Sequence, residues 1–219
     1  MKIFVIGGHK CGTLSLHKWF KERKLKSIHG NFWCNNQELI ENNDCFSDHF
    51  AEFYYVNKIQ ELLKYKNCLF ILNYRPLEEY MNSLLKHLLN GNYINKKNNW
   101  KWPSNFSDRI LNTHKTNNFI INYFKKNKLL DKLLVINICN GNNKENTRKL
   151  EKFIKLPLKK NILIKKNDHN LLPLNNINIK KYLNKFDIEI KSEYEKIYKE
   201  ISNDEYLNFL DLLNNKDIT

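Results

Sequence analysis

No stretch of the chain approaches the run of about 18–20 apolar residues that a membrane-spanning helix needs, so no membrane partner is expected. No charged and apolar leader precedes the first apolar run, and the reading is of a soluble, cytoplasmic chain. The five cysteines, Cys11, Cys34, Cys45, Cys68 and Cys139, are odd in number, and none stands in a CxxC or metal-ligand spacing. That argues against a disulfide scaffold or a zinc module and for reduced thiols. Histidines, cysteines and carboxylates form no cluster in the sequence, so no metal is expected. No internal repeat is present, which removes solenoids and propellers.

What is present is a length of 219 residues, enough for one α/β domain with a full core, and a net charge of +14. Such a charge attracts polyanions. Here, however, lysine, asparagine and isoleucine are spread along the whole chain, as in Asn95-Lys96-Lys97-Asn98-Asn99, the pattern an AT-rich coding sequence produces. The lysines do not gather into a block with interleaved aromatics, and no nucleic-acid partner is expected.

Alternating apolar runs and amphipathic stretches predict a strand over Lys2–Ile6, a helix over Thr13–Arg23, and a short strand over Lys26–His29 ended by Gly30. Asn31 to Asp44 reads as loop or irregular helix, followed by a helix over Phe53–Tyr65. Cys68–Asn73 is a compact apolar run suited to a strand buried on both faces. Pro76 then opens a helix over Leu77–Leu89, with Glu78 and Glu79 at its positive end. Gly91–Asn105, with Trp100 and Trp102, reads as a loop. A helix over Ser107–Lys126, a strand over Leu133–Ile138 and a helix over Lys144–Ile154 complete the alternation. Asn161–Asn176 is loop-like, and residues 177–219 carry one or two terminal helices with an apolar packing stripe. The fold class expected is α/β: a three-layer, P-loop-type fold with a central, mostly parallel sheet flanked by helices.

The first strand ends in Gly7-Gly8-His9-Lys10-Cys11-Gly12-Thr13-Leu14-Ser15. Glycines let backbone approach an anion closely, the first N–H groups of the next helix point at it, and Lys10, Thr13 and Ser15 add charge and donors. The spacing Gly7-x4-Gly12-Thr13 is close to a Walker A loop, yet no lysine follows Gly12; the lysine stands two residues earlier, at Lys10. Further along, Arg75 ends a core strand and Ser83 follows two helical turns into the next helix, a spacing suited to gripping one phosphate.

Together these features resemble the P-loop sulfotransferases, which transfer a sulfuryl group from 3′-phosphoadenosine 5′-phosphosulfate (PAPS). Lys10-Cys11-Gly12-Thr13-x-Ser15-Leu16 is similar to their 5′-phosphosulfate loop, and Arg75 with Ser83 to their 3′-phosphate pair. The likeness extends over about residues 2–170, through Ser47-Asp48-His49-Phe50, His114 and Tyr123-Phe124-Lys125. It departs at Arg75-Pro76, where the family has Arg-Asn-Pro, and in lacking the Lys-Gly-x-x-Gly loop, for which Lys165-Lys166-Asn167 is a stand-in.

The resemblance implies transfer from PAPS, with 3′-phosphoadenosine 5′-phosphate (PAP) as product and no metal, to a hydroxyl or amine of a small molecule or glycan. Gly8, His9, Lys10, Cys11, Gly12, Thr13, Leu14, Ser15, Arg75, Ser83 and Lys166 would bind the nucleotide. Lys10 would neutralise the leaving oxygen, and the general base would be Asp48, His49 or His29. Cys11 is a small spacer, or a thiol that the helix start and Lys10 favour as thiolate. The rival enzyme is a P-loop nucleotide or small-molecule kinase, which needs a lysine after Gly12 and an acidic residue ending a core strand; the strands read here end in Asn73-Tyr74-Arg75 and Asn137-Ile138-Cys139. A rival of another class is a basic nucleic-acid-binding module.

Overall fold

The structure is a computed structural model, and it describes residues 1–30, 33–48, 55–76, 79–80, 83–84 and 104–156. The chain divides into two compact units, Met1–Tyr80 with Phe119–Asn167 and Met81–Asn118 with Asp168–Thr219. The sheet lies in the first. His49, Lys166, the Trp100/Trp102 segment, Asn161–Asn176 and the C-terminal helices lie outside the described residues.

The elements are β1 (Lys2–Val5), α1 (Thr13–Glu22), β2 (Ser27–His29), a 3-10 turn (Trp33–Asn35), α2 (Gln37–Asn42), β3 (Cys45–Ser47), α3 (Tyr55–Leu63), β4 (Cys68–Asn73), α4 (Ser104–Lys126), β5 (Leu133–Ile136) and α5 (Asn143–Ile154). Glu79, Tyr80, Ser83 and Leu84 are helical, in the stretch that Pro76 was expected to open. The strands form one sheet in the order β2-β3-β1-β4-β5, and every pairing is parallel. This is the α/β architecture expected: a parallel sheet with helices on its faces.

β3 is the element that periodicity does not reveal. Three residues, Cys-Phe-Ser, carry too little pattern to read, and α2 and its asparagine cap Asn36 precede them. Register places the strand: Cys45 pairs with Ile3 and Phe46 with Phe4.

Pleating sends alternate residues to opposite faces. On one face Phe4, Phe46 and Phe70 lie in a row across three neighbouring strands, Phe46 and Phe70 both in register with Phe4, at 5.2 and 5.5 Å between ring centroids. Trp33 covers Phe46 at 5.2 Å and Phe124 of α4 covers Phe70 at 5.1 Å. On the other face Ile3, Val5, Cys45, Ile71 and Ile136 pack with Leu16, Trp19 and Phe20 of α1 and Leu150 and Ile154 of α5. Each such fully buried apolar side chain contributes about 1.5–3 kcal/mol. Arg23, which caps α1, forms a buried ion pair with Glu151 of α5 while its guanidinium sits 5.0 Å from the Trp19 ring centre. No described helix is long and apolar enough to cross a membrane.

The strand order fixes where a crevice opens at the sheet's carboxyl edge. From β1 the chain leaves towards β2 on one side of the sheet, whereas from β4, its neighbour, it leaves towards β5 on the other. Adjacent parallel strands whose connections diverge leave a crevice beyond their carboxyl ends. Gly7–Gly12 follows one of these strands, and Tyr74-Arg75 the other.

Candidate functional site

The loop after β1 closes onto α1 through two residues with left-handed backbone, Lys10 at φ 64° and Gly12 at φ 94°. Gly12 is the helix N-cap, its carbonyl accepting from the Leu16 N–H at 3.2 Å, and Thr13 and Ser15 are buried in the first turn. No acidic side chain of that turn offsets its positive end.

Neighbouring strand ends brace the loop. Asn73, the last residue of β4, is fully buried and donates from Nδ2 to the Cys11 carbonyl at 3.1 Å. Gly7 lies so close to Asn73 that a Cβ there would meet its carbonyl oxygen at 2.0 Å, and a Cβ on Gly12 would meet Ile138 Cδ1 at 2.6 Å and Cys139 Sγ at 3.2 Å. Sequence reading takes Asn73 only as the end of an apolar run; a polar side chain closing a strand buried on both faces is the signal that marks it.

Two cations share this corner. Burial and the nearby Arg75 guanidinium lower the Lys10 ammonium pKa, against the opposing pull of Asp48 and Cys139. Arg75 donates from Nη2 to Cys139 Sγ at 2.8 Å, while its Nε is buried and has no hydrogen-bond partner among the described residues. Cations that disfavour one another's charge are relieved by an anion between them. Burial, with Cys139 adding to it, pushes the Cys11 thiol up to about 12, so the thiolate alternative fails and Cys11 is a buried spacer.

Asp48 directly follows β3, on the other side of β1. Its backbone is left-handed at φ 68°, and the Trp33 indole N–H donates to its carbonyl at 2.7 Å, holding a conformation that non-glycine residues rarely adopt. The carboxylate joins two of the histidines: His9 Nδ1 lies 2.6 Å from Oδ1 and His29 Nε2 lies 3.7 Å from Oδ2. Ser47 Oγ lies 3.0 Å from His29 Nδ1 and 3.4 Å from the Ile28 carbonyl oxygen, so one ring nitrogen of His29 faces Ser47 and the other faces Asp48. Lys10, His9, His29, Asp48 and Arg75 thus belong to one site. The expected inventory of strand ends is corrected here: β3, a core strand hydrogen-bonded to β1, is followed directly by an acidic residue. Ser83 is helical and belongs to the second unit.

His17 of α1 extends the cluster. Its Nδ1 is 2.9 Å from Ser27 Oγ and its ring centre is 5.5 Å from that of His29. Burial first, then His29, Lys21 and Lys18, lower its pKa to about 4. In the unfolded chain the ordinary value of about 6.5 applies, so below that pH the unfolded state takes up the proton first. Stability is therefore expected to fall as pH drops from about 6.5 towards 4, and His17→Asn should flatten that limb in thermal melts; an unchanged slope would assign the acid sensitivity elsewhere.

No protein-family model and no curated protein matches this chain. Function has to be argued from the geometry. Among the described residues no group of three or more histidine, cysteine or acidic side chains is placed to hold a metal ion.

Proposed function

We propose that the chain is a sulfotransferase that moves a sulfuryl group from PAPS to a hydroxyl or amine. The observation that carries this reading is the meeting of Lys10, in the crest of the glycine loop, with Arg75 at the end of the adjacent strand, where the connections diverge. A lysine at the crest faces the bridging oxygen of a phosphosulfate, and a second cation one strand away suits the 3′-phosphate that distinguishes this nucleotide from ATP.

In the proposed reaction the first-turn N–H groups of α1, with Thr13 and Ser15, hold the 5′-phosphate. The acceptor oxygen or nitrogen attacks sulfur in line, the bond from sulfur to the bridging oxygen breaks, and the departing electron pair is neutralised by Lys10. The acceptor proton passes to the imidazole–carboxylate group of Asp48, His9 and His29. The acceptor itself is a small molecule or glycan, and the setting cytoplasmic.

One observation favours a second reading. Asp48 directly follows a strand beside the loop strand, where a P-loop kinase places its magnesium-organising carboxylate. Against it stand the absence of lysine after Gly12 and the engagement of the carboxylate by His9.

Thermal melting separates the two. PAP at about 100 times its dissociation constant contributes about 2.7 kcal/mol, a rise of roughly 5–10 °C in Tm for a chain of this size. PAP without metal is expected to give that rise and magnesium-ATP a smaller one. The reverse order would replace the sulfotransferase reading with the kinase one, and binding of oligonucleotides with steep salt dependence and no response to either nucleotide would replace both.

A further inference from the structure

We infer that Asn73 is the positioning residue of the loop: its side-chain amide holds the peptide between Cys11 and Gly12 in the orientation that presents the Gly12 N–H to an anion. The inference rests on the reading of Gly7–Gly12 as an anion cradle, but not on the identity of the anion.

Asn73 closes β4, the strand paired residue for residue with β1 from Lys2↔Cys68 to Val5↔Ile71. Its side chain is therefore delivered to the underside of the loop that β1 feeds. It is fully buried, and Nδ2 donates to the Cys11 carbonyl at 3.1 Å across 62 residues of sequence. In a trans peptide the C=O and the following N–H point in opposite directions. With the Cys11 carbonyl held down towards β4, the Gly12 N–H points away from the sheet, where the loop and the first turn of α1 would receive a phosphate oxygen.

Such a constraint is needed because of glycine. Rotating the Cys11–Gly12 peptide changes only ψ of Cys11 and φ of Gly12, and glycine accepts both the observed φ of 94° and its negative counterpart at little cost. An unlatched loop would populate the flipped peptide, placing a carbonyl where the anion needs a donor. A reversed dipole in an anion cradle repels what it should bind.

The second observation is Oδ1. This oxygen is buried and has no hydrogen-bond partner among the described residues, while Gly7 stands so near that a Cβ there would be 2.3 Å from it. A leucine of similar shape would remove that orphaned acceptor but would also leave the buried Cys11 carbonyl without its donor, so the amide is kept at this strand end for the sake of the loop peptide. Among the described residues the amide makes one hydrogen bond, and that bond is with the loop peptide.

The test uses the full chain as wild type, Asn73→Leu and Asn73→Ala, with PAP and inorganic pyrophosphate as probes. Calorimetry gives affinity, thermal melting without ligand gives stability, and the 15N–1H signal of Gly12 reports the peptide itself. Both variants are expected to stay folded with melting temperatures lowered by the orphaned Cys11 carbonyl, to bind both probes at least tenfold more weakly, and to lose the Gly12 amide shift that pyrophosphate induces in the wild type. Alanine keeps the experiment decisive if leucine does not fit. Wild-type affinity and a wild-type Gly12 response in either folded variant would overturn the inference alone. Failure of the wild type to bind PAP while it binds pyrophosphate would overturn the sulfotransferase reading and leave this one standing; binding of neither probe would overturn both.

Discussion

Lys10→Ala is expected to lower turnover of PAPS by about 10²–10³, the effect of removing one preorganised donor from a developing oxyanion, while PAP affinity falls much less. The reasoning starts from the backbone. Lys10 is held at φ 64°, a conformation costly for a residue with a Cβ, which fixes the side chain's exit from the loop between His9 and Cys11. Half-buried beside Arg75, its ammonium is poorly solvated, so charge appearing on the bridging oxygen is met without reorganising water. Arg75→Ala should split the other way, raising the dissociation constant for PAP with a smaller loss at saturation. Water serves as the acceptor in this measurement: release of PAP from labelled PAPS needs no knowledge of the natural acceptor. Normal turnover in Lys10→Ala would remove the lysine from the chemistry, and equal PAP affinity in Arg75→Ala would take the 3′-phosphate elsewhere.

The parts of this site that sequence makes legible are those written locally. The apolar run of β1, its glycine turn and α1 are contiguous, and the strand of Cys68–Asn73 is long and apolar enough to be seen with its ends intact. The loop's chemistry follows from the same contiguity, since glycine, lysine and hydroxyls occupy neighbouring positions.

What stays hidden is whatever depends on the sheet's lateral order. β3 has three residues and becomes a strand because β1 and β2 pair with it on either side. Until it is seen as a strand, Asp48 is one carboxylate in a loop rather than the residue directly after a core element beside β1. The contacts of Asp48 with His9 and His29 join three segments that no spacing rule connects, and the same holds for Arg75 with Cys139 and Asn73 with Cys11. Sequence reading thus finds the cradle and the two cations, and only the fold shows what orients them.

Gly7→Ala is expected to be the most destabilising of the alanine substitutions at Gly7, Gly12 and Gly141, by about 3 kcal/mol or more and roughly 6–12 °C in Tm. The ranking comes from what each new Cβ would strike. At Gly7 the nearest atom, 2.0 Å away, is the backbone carbonyl of Asn73, whose residue is held in register with Ile136 of β5, so it cannot yield without disturbing the parallel pairing of β4 with β5. At Gly12 the nearest atoms, at 2.6 and 2.8 Å, are the far end of the Ile138 side chain, which can rotate; strain from φ 94° then adds about 1–2 kcal/mol. At Gly141, where φ is 82° and nothing lies within 4 Å, strain acts alone. Thermal melts of the three alanine variants should therefore fall in the order Gly7, Gly12, Gly141, with Gly7 lowest. If Gly141→Ala melted as low as Gly7→Ala, backbone conformation rather than the close approach of loop and strand would set the cost, and the packing of the cradle against Asn73 would lose its energetic support.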